Sequence, residues 1–171
     1  MTRFRSFALG AAVALAAVCA TAAERSPTSE AYVAAAAQSD NYEILAGRLI
    51  LTQSQDQSVR GFAQQMVDHH TQTSASLTKA AAAAGLPPPP KTLGGDQQQM
   101  LAGLQSMKGP DLDRTYMTQQ VNAHTSALVT QQTYAASGDN DDLKAVAQST
   151  VPLIQRHLEM AQQLKASLGA K

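Results

Sequence analysis

The stretch QSVRGFAQQMVDHHTQTSASLTKAAAAAGLPPPP, Gln57 to Pro90, decides how this chain is read. Val59, Phe62, Ala63, Met66, His70, Thr73, Leu77 and Ala81 recur at three- and four-residue intervals, which lines them along one face of an α-helix. Asp56 suits the N-cap of that helix, Gly85 supplies its stop, and Pro87 to Pro90 forbid its continuation. His70 interrupts an otherwise apolar stripe. An imidazole on a face that packs inward needs a partner for its ring nitrogens.

The same periodicity extends outward in both directions. Upstream, a helix is expected over Ser29 to Gln53, with Val33, Ala36, Ala37, Asp40, Ile44, Gly47 and Leu51 on one face. Leu45 and Leu49 fall elsewhere around it, which predicts burial on more than one side. Downstream, Leu86 to Gly109 reads as a connector with a short helix around Gln97 to Met107. A third long helix starts near Pro110, with Asp111 and Asp113 favourable at its N-terminal dipole, and ends at Gly138. Its face reads Leu112 or Asp113, Met117, Val121, His124, Leu128 and Ala135. Asp139 or Asn140 caps a fourth helix lined by Leu143, Val146, Thr150, Ile154, His157, Ala161, Leu164 and Leu168. Pro152 within it predicts a kink or a free carbonyl. The expected class is all-α: four long helices in a bundle, with a long connector between the second and third that contains a short extra helix. That connector, about 24 residues, can reach more than the ~40 Å length of the second helix, which permits a crossover along the whole bundle and equally an up-down-up-down arrangement with a loose excursion.

The N-terminus reads as an address. Arg3 and Arg5 precede an apolar run from Phe7 to Ala20, and small residues follow, so residues 1–23 are expected to be a cleaved signal peptide and 24–171 the mature domain. The run is about 14 residues, short of the ~20 that span a bilayer. The sole cysteine, Cys19, lies inside it, and the bulk of Val18 disfavours a lipoprotein signal. The expected mature chain therefore has no disulfide and depends on core packing. Loss of Arg3 and Arg5 leaves 11 basic residues against 13 acidic ones. With no basic stripe or aromatic platform, nucleic-acid binding is not expected. Partner and oligomeric state are open, and envelope association is compatible with export.

The chemistry-bearing residues fall at one depth. His70 and His124 each lie about 13 residues into their helices, His157 about 11 from the end of its own, and Glu43 about 10 from the end of the first helix. At 1.5 Å per residue all lie about 15–20 Å from one end of a bundle. Asp40 is better centred on its stripe than Glu43, which falls about 80–100° away. His70, His124 and His157 with Glu43 or Asp40 would form a mononuclear site for one divalent transition metal, with Asp40, Asp113, Tyr116 and Gln120 as supporting residues. The other reading is a hydrogen-bonded core layer in which Glu43, Asp113 and Tyr116 pair with the histidines and set helix register. His69, beside Asp68, is expected to be solvated. Thr73 or Ser74 near His70 imitates a nucleophile–base pair, but no oxyanion donor, nucleophile elbow, phosphate loop or cysteine–histidine pair accompanies it. The methionines match core spacing and read as gap-fillers.

Met66-Val67-Asp68-His69-His70, Asp113-Arg114-Thr115-Tyr116 leading to His124, and Leu143 to His157 around Pro152 resemble the DUF4142 family, from about Tyr32 to Gln162. The resemblance implies an exported bacterial protein with a ferritin-like bundle, of a kind often labelled an outer membrane protein. The family's usual Met-Val-x-Asp-His maps its histidine onto His70 and puts His69 where aspartate is usual. A ferritin-like di-iron site needs Glu-x-x-His on two helices and glutamates on the others. Here Val67 and Ile154 stand three residues before His70 and His157, and His124 stands where a glutamate belongs, so di-iron chemistry is not expected. The sequence thus leads to a helical binding protein of the cell envelope, structural or stress-related in role and with no catalytic residue assigned. A metal-binding or redox role is the alternative.

Overall fold

The computed structural model describes residues 28–169. The expected signal segment, its cleavage point and Cys19 lie outside the described residues. Five helices follow in order: α1 Ser29–Gln53, α2 Gln57–Ala83, α3 Gly95–Gln105, α4 Gly109–Ser137 and α5 Asp141–Gly169. No strand occurs among the described residues, and no described helix is long and apolar enough to cross a membrane.

Helix ends follow local chemistry. Thr28 caps α1, its hydroxyl accepting from the Ala31 N–H, and Asp56 Oδ1 accepts from the Ser58 and Val59 N–H groups of α2. Arg60 reaches back from the first turn of α2 to donate to the carbonyls of Leu51 and Ser54, which α1 leaves without helical partners. At the far end of α2, Gly85 adopts φ +71°, and the Leu86 N–H returns to the Ala81 carbonyl at 2.9 Å, closing a Schellman turn. Of the two candidate caps for α5, Asn140 does the work: its Oδ1 accepts from Leu143 N at 3.1 Å. Asp139 instead accepts from Ser29 and Tyr134, tying that turn to the start of α1.

Side-chain pairings fix the helix directions. Tyr32 stacks on Tyr134 with ring centroids 3.9 Å apart, while Tyr42 bonds Gln119, so α1 and α4 run antiparallel. Residues 58–65 share a groove with residues 160–167, and His69 meets His157, so α2 and α5 are antiparallel too. The three-residue links 54–56 and 138–140 make α1–α2 and α4–α5 antiparallel hairpins. It follows that α2 and α4 are parallel, and the connector must traverse the length of the assembly. It does so over the α1–α4 seam: Asn41 donates to the Pro90 carbonyl at 2.9 Å, and Gln119 donates to the Met100 carbonyl of α3 at 3.1 Å. The up-down-up-down alternative is excluded by these contacts.

The core is divided. One apolar cluster, including Ile50, Val59, Phe62, Met66, Leu104, Leu112 and Met117, fills one end; another, including Tyr32, Val33, Leu77, Tyr134 and Leu143, fills the other. Between them lies a layer of buried polar groups. Helix α1 buries Val33, Ala36, Ala37, Asp40 and Gly47 of its expected stripe, with Ile44 and Leu51 half-buried. It is covered on several sides, by α2, α3 and α4, so Tyr32, Tyr42, Glu43, Ala46 and Ile50 are buried as well, whereas Leu45 is 41% exposed. Gly47 of that stripe marks the seam with α2, where an added Cβ would meet Val67 at 2.8 Å, and Asp40 of the same stripe reaches His70.

Candidate metal centre

The polar layer is built by one residue or pair from each long helix. His70 from α2, His124 from α4 and His157 from α5 are each about 1% exposed, and their ring centroids lie 5.2–5.7 Å apart. One ring nitrogen from each lies within 4.8 Å of the others. Asp40 and Glu43 of α1 are buried alongside.

Each ring is anchored through one nitrogen. His70 Nδ1 is 2.8 Å from Asp40 Oδ1, and that carboxylate also accepts from Thr73 at 2.9 Å and Ser74 at 3.1 Å. These two hydroxyls are thereby acceptor-bound supports of Asp40, not partners of an imidazole base. His124 Nδ1 donates to the backbone carbonyl of Gln120, one turn earlier, at 2.9 Å. A carbonyl only accepts, so the proton on this ring sits at Nδ1. His157 Nε2 is 2.8 Å from His69 Nδ1, and the two rings stack within 5° of parallel.

The opposite nitrogens are His70 Nε2, His124 Nε2 and His157 Nδ1. Among the described residues these buried atoms find no hydrogen-bond partner. An unpaired buried polar atom costs about 1–3 kcal/mol. Three on neighbouring rings therefore require an explanation.

The electrostatics sort the rings. Burial pushes His124 down to about 3 and His157 to about 2, with His70 adding to both effects, so both are neutral near pH 7. Burial also opposes charge on His70, but the hydrogen bond and charge of Asp40, with Glu43 behind them, outweigh it and raise its pKa. Burial pushes Glu43 up to about 7 against the opposing pull of His70 and the Gln120 hydrogen bond. Glu43 Oε2 accepts from Gln120 Nε2 at 2.6 Å, and Oε1 stands 4.0 Å from His124 Nδ1.

The structure thus gathers His70, His124 and His157, with Asp40 and Gln120 in support. Glu43 lies in the same layer but outside this cluster. Asp113 and Tyr116, earlier on α4, are buried with Asp113 Oδ1 and the Tyr116 hydroxyl unpartnered among the described residues. Tyr116 packs edge-on against Phe62. The sequence reading missed His69, which it placed in solvent: the residue is half-buried against His157. Its position, 100° around α2 from His70 and toward whichever helix flanks that side, was the available signal.

A chain of parallel-connected helical hairpins holding a buried histidine cluster is the class that fold and site define. Residues 14–164 match the family model for DUF4142, a domain of unknown function, and the chain belongs to that family. No curated protein matches it. Among solved structures it is similar to a DUF305 fragment from Deinococcus radiodurans, at TM-score 0.69 and 14% identity over 84% of this chain and 96% of that one. A DUF305 protein from Streptomyces coelicolor, named as secreted, gives 0.67 and 15% over 84% and 94%. CopM in its Cu(II)-bound form gives 0.70 and 11% over 84% and 99%. At these identities the likeness is one of fold.

Proposed function

We propose that this protein is an exported, ferritin-like helical-bundle protein that binds one divalent transition-metal ion through His70, His124 and His157. The observation that carries the reading is a set of three neighbouring buried imidazoles, each with one nitrogen held and the other without a partner among the described residues, and each offering a ligand atom within 4.8 Å of the others. Metal-ligating histidines have this signature, the second nitrogen bound to a carboxylate, a carbonyl or a similar acceptor that sets tautomer and orientation. A hydrogen-bonded core layer would instead pair those nitrogens, and in the described structure none is paired. One ligand atom from each ring lies within 4.8 Å of the others, wider than the ~3.3 Å edge that ~2.0–2.1 Å zinc–nitrogen bonds set. Ligation therefore requires the rings to draw inward.

Neutral imidazoles suit zinc, copper(II), nickel or iron(II), and the absence of cysteine near the site argues against copper(I). Asp40 and Gln120 would act as outer partners that orient His70 and His124. Glu43, in the same layer, is the candidate fourth ligand once released from Gln120. Carboxylate bridges are missing at positions 67 and 154, so one ion is proposed and not a di-iron pair. Binding would displace the extra proton that Asp40 favours on His70. The likeness in fold to CopM, a protein known in a Cu(II)-bound form, supports this reading. Export rests on the signal-like residues 1–23.

The test is metal analysis of the mature chain purified without an affinity tag, paired with thermal melts in zinc(II), copper(II) or chelator. We expect one ion per chain and a melting temperature raised by the metal, with His124→Leu abolishing both. Glu43→Gln should weaken binding at least tenfold if Glu43 ligates. A chain that takes up no ion and melts identically in all three solutions refutes the proposal and leaves the layer as a structural network.

A further inference from the structure

The three histidines are about 1% exposed, which raises the question of how an ion reaches them. The α1–α2 seam at this depth is filled by Asp40, Thr73 and Ser74. The α1–α4 seam carries the Glu43–Gln120 pair, and a hollow of about 480 Å³ on that face, lined by Tyr42, Met100, Ala123 and Gln131 among others, presents no imidazole. The helices α4 and α5 form the most extensively packed pair in the molecule. The α2–α5 seam is different. No connector covers it, and a groove of about 410 Å³ runs along it, lined by Phe62, Gln65, Met160 and Leu164 among others. Gln65 lies one turn before His69 and Met160 about one turn after His157. At this seam, one turn beyond the groove, half-buried His69 stacks on buried His157 and is a metal-ligating side chain within reach of solvent.

We infer that the α2–α5 seam is the metal's route in and out, with His69 serving as a transient ligand that delivers the ion to His157. This rests on the metal-binding reading above. His157 presents Nε2 to His69 and leaves Nδ1 for the buried cluster, so a single ring spans outer and inner stations. Breaking one hydrogen bond at the half-exposed ring frees a nitrogen donor at the seam without disturbing His70 or His124. Asp40 and Gln120 keep those two rings in place meanwhile.

The inference separates rate from affinity. Zinc(II) loading is followed by stopped-flow after mixing, and release by capture with a chromophoric chelator in excess, for the parent, His69→Phe and His69→Gln. Phenylalanine keeps the stacked ring and removes the donor; glutamine keeps a hydrogen-bond acceptor for His157. Both variants are expected to slow loading and release at least tenfold while the equilibrium Kd changes less than threefold. Unchanged rates overturn the route. A Kd weakened in the phenylalanine variant and restored by glutamine, with loading unaffected, also overturns it and makes His69 a positioning residue for His157. If the parent itself binds no zinc, the metal-binding reading falls first and the route with it. A parent that binds, with variants that bind at the same speed, removes the route alone.

Discussion

Glu43 carries an uncomfortable charge, enclosed between α1 and α4 with Gln120 as its hydrogen-bond donor. Burial raises its pKa from about 4.5 to about 7, so folding favours its protonated form. That contribution is fully present below pH 4.5 and is lost as pH rises through 7. The metal-free Glu43→Gln variant should therefore be more stable than the parent at pH 8, on the order of 1–3 kcal/mol, and match it at pH 4. Urea denaturation in chelator at the two pH values checks this, and a variant less stable at pH 8 would contradict it. His69 teaches the complementary lesson at the same scale. Its neighbour His70 was marked by periodicity, whereas His69 acquires its contact only because α5 brings His157 beside it.

Among the elements, the α1–α2 hairpin depends on close approach. A Cβ at Gly47 would lie 2.8 Å from Val67 Cγ2 and 2.9 Å from the Ala63 carbonyl oxygen, which is backbone and cannot swing aside. Gly47→Ala should cost about 1–3 kcal/mol through overpacking, despite alanine's better helix propensity. Adding Val67→Ala should recover only part of the loss, because the carbonyl clash stays; full recovery in a double-mutant cycle would sink that account. Most of the helix boundaries were legible because caps, prolines and glycines act within a few residues. The α1 and α2 spans match the expected residues almost to the end, and α3 shifts by two residues. The full width of the buried face of α1 was not legible. A helix touched by three others is covered on several faces, and a single stripe took in Asp40 but left Tyr42, Glu43 and Ala46 outside it.

For the whole molecule, the buried ionisable groups make stability a function of pH. His124 and His157 are depressed to about 3 and about 2, so their stabilising contribution is present above 6.5 and lost as pH falls below it. Glu43 opposes them between pH 7 and 4.5, where the fold takes up a proton that the unfolded chain does not hold. Two protons against one leaves a net loss of about 1.4 kcal/mol per pH unit below 6.5, steepening below 4.5, where Glu43 no longer compensates. His70, raised, and Glu43 both reduce stability as pH climbs through 7. The metal-free protein should therefore be most stable near pH 6.5, as read from denaturant midpoints between pH 4 and 9. A flat profile would mean that the rings are not buried neutral. Replacing His124 by leucine should flatten the acid limb by one proton.

The amino-acid order alone determined the all-helical class, the extent of each long helix, and the equal depth of His70, His124 and His157, because these follow from a 1.5 Å rise, a 3.6-residue period and local capping. It left open the direction of α4 and the facing of every ring nitrogen. The Tyr32–Tyr134 stack and the connector's bonds to Asn41 and Gln119 decided the direction. The hydrogen bonds of Asp40, Gln120 and His69 decided the facing. Most of those contacts join residues tens of positions apart on different helices. No rule of local spacing can choose among them until the helices have packed.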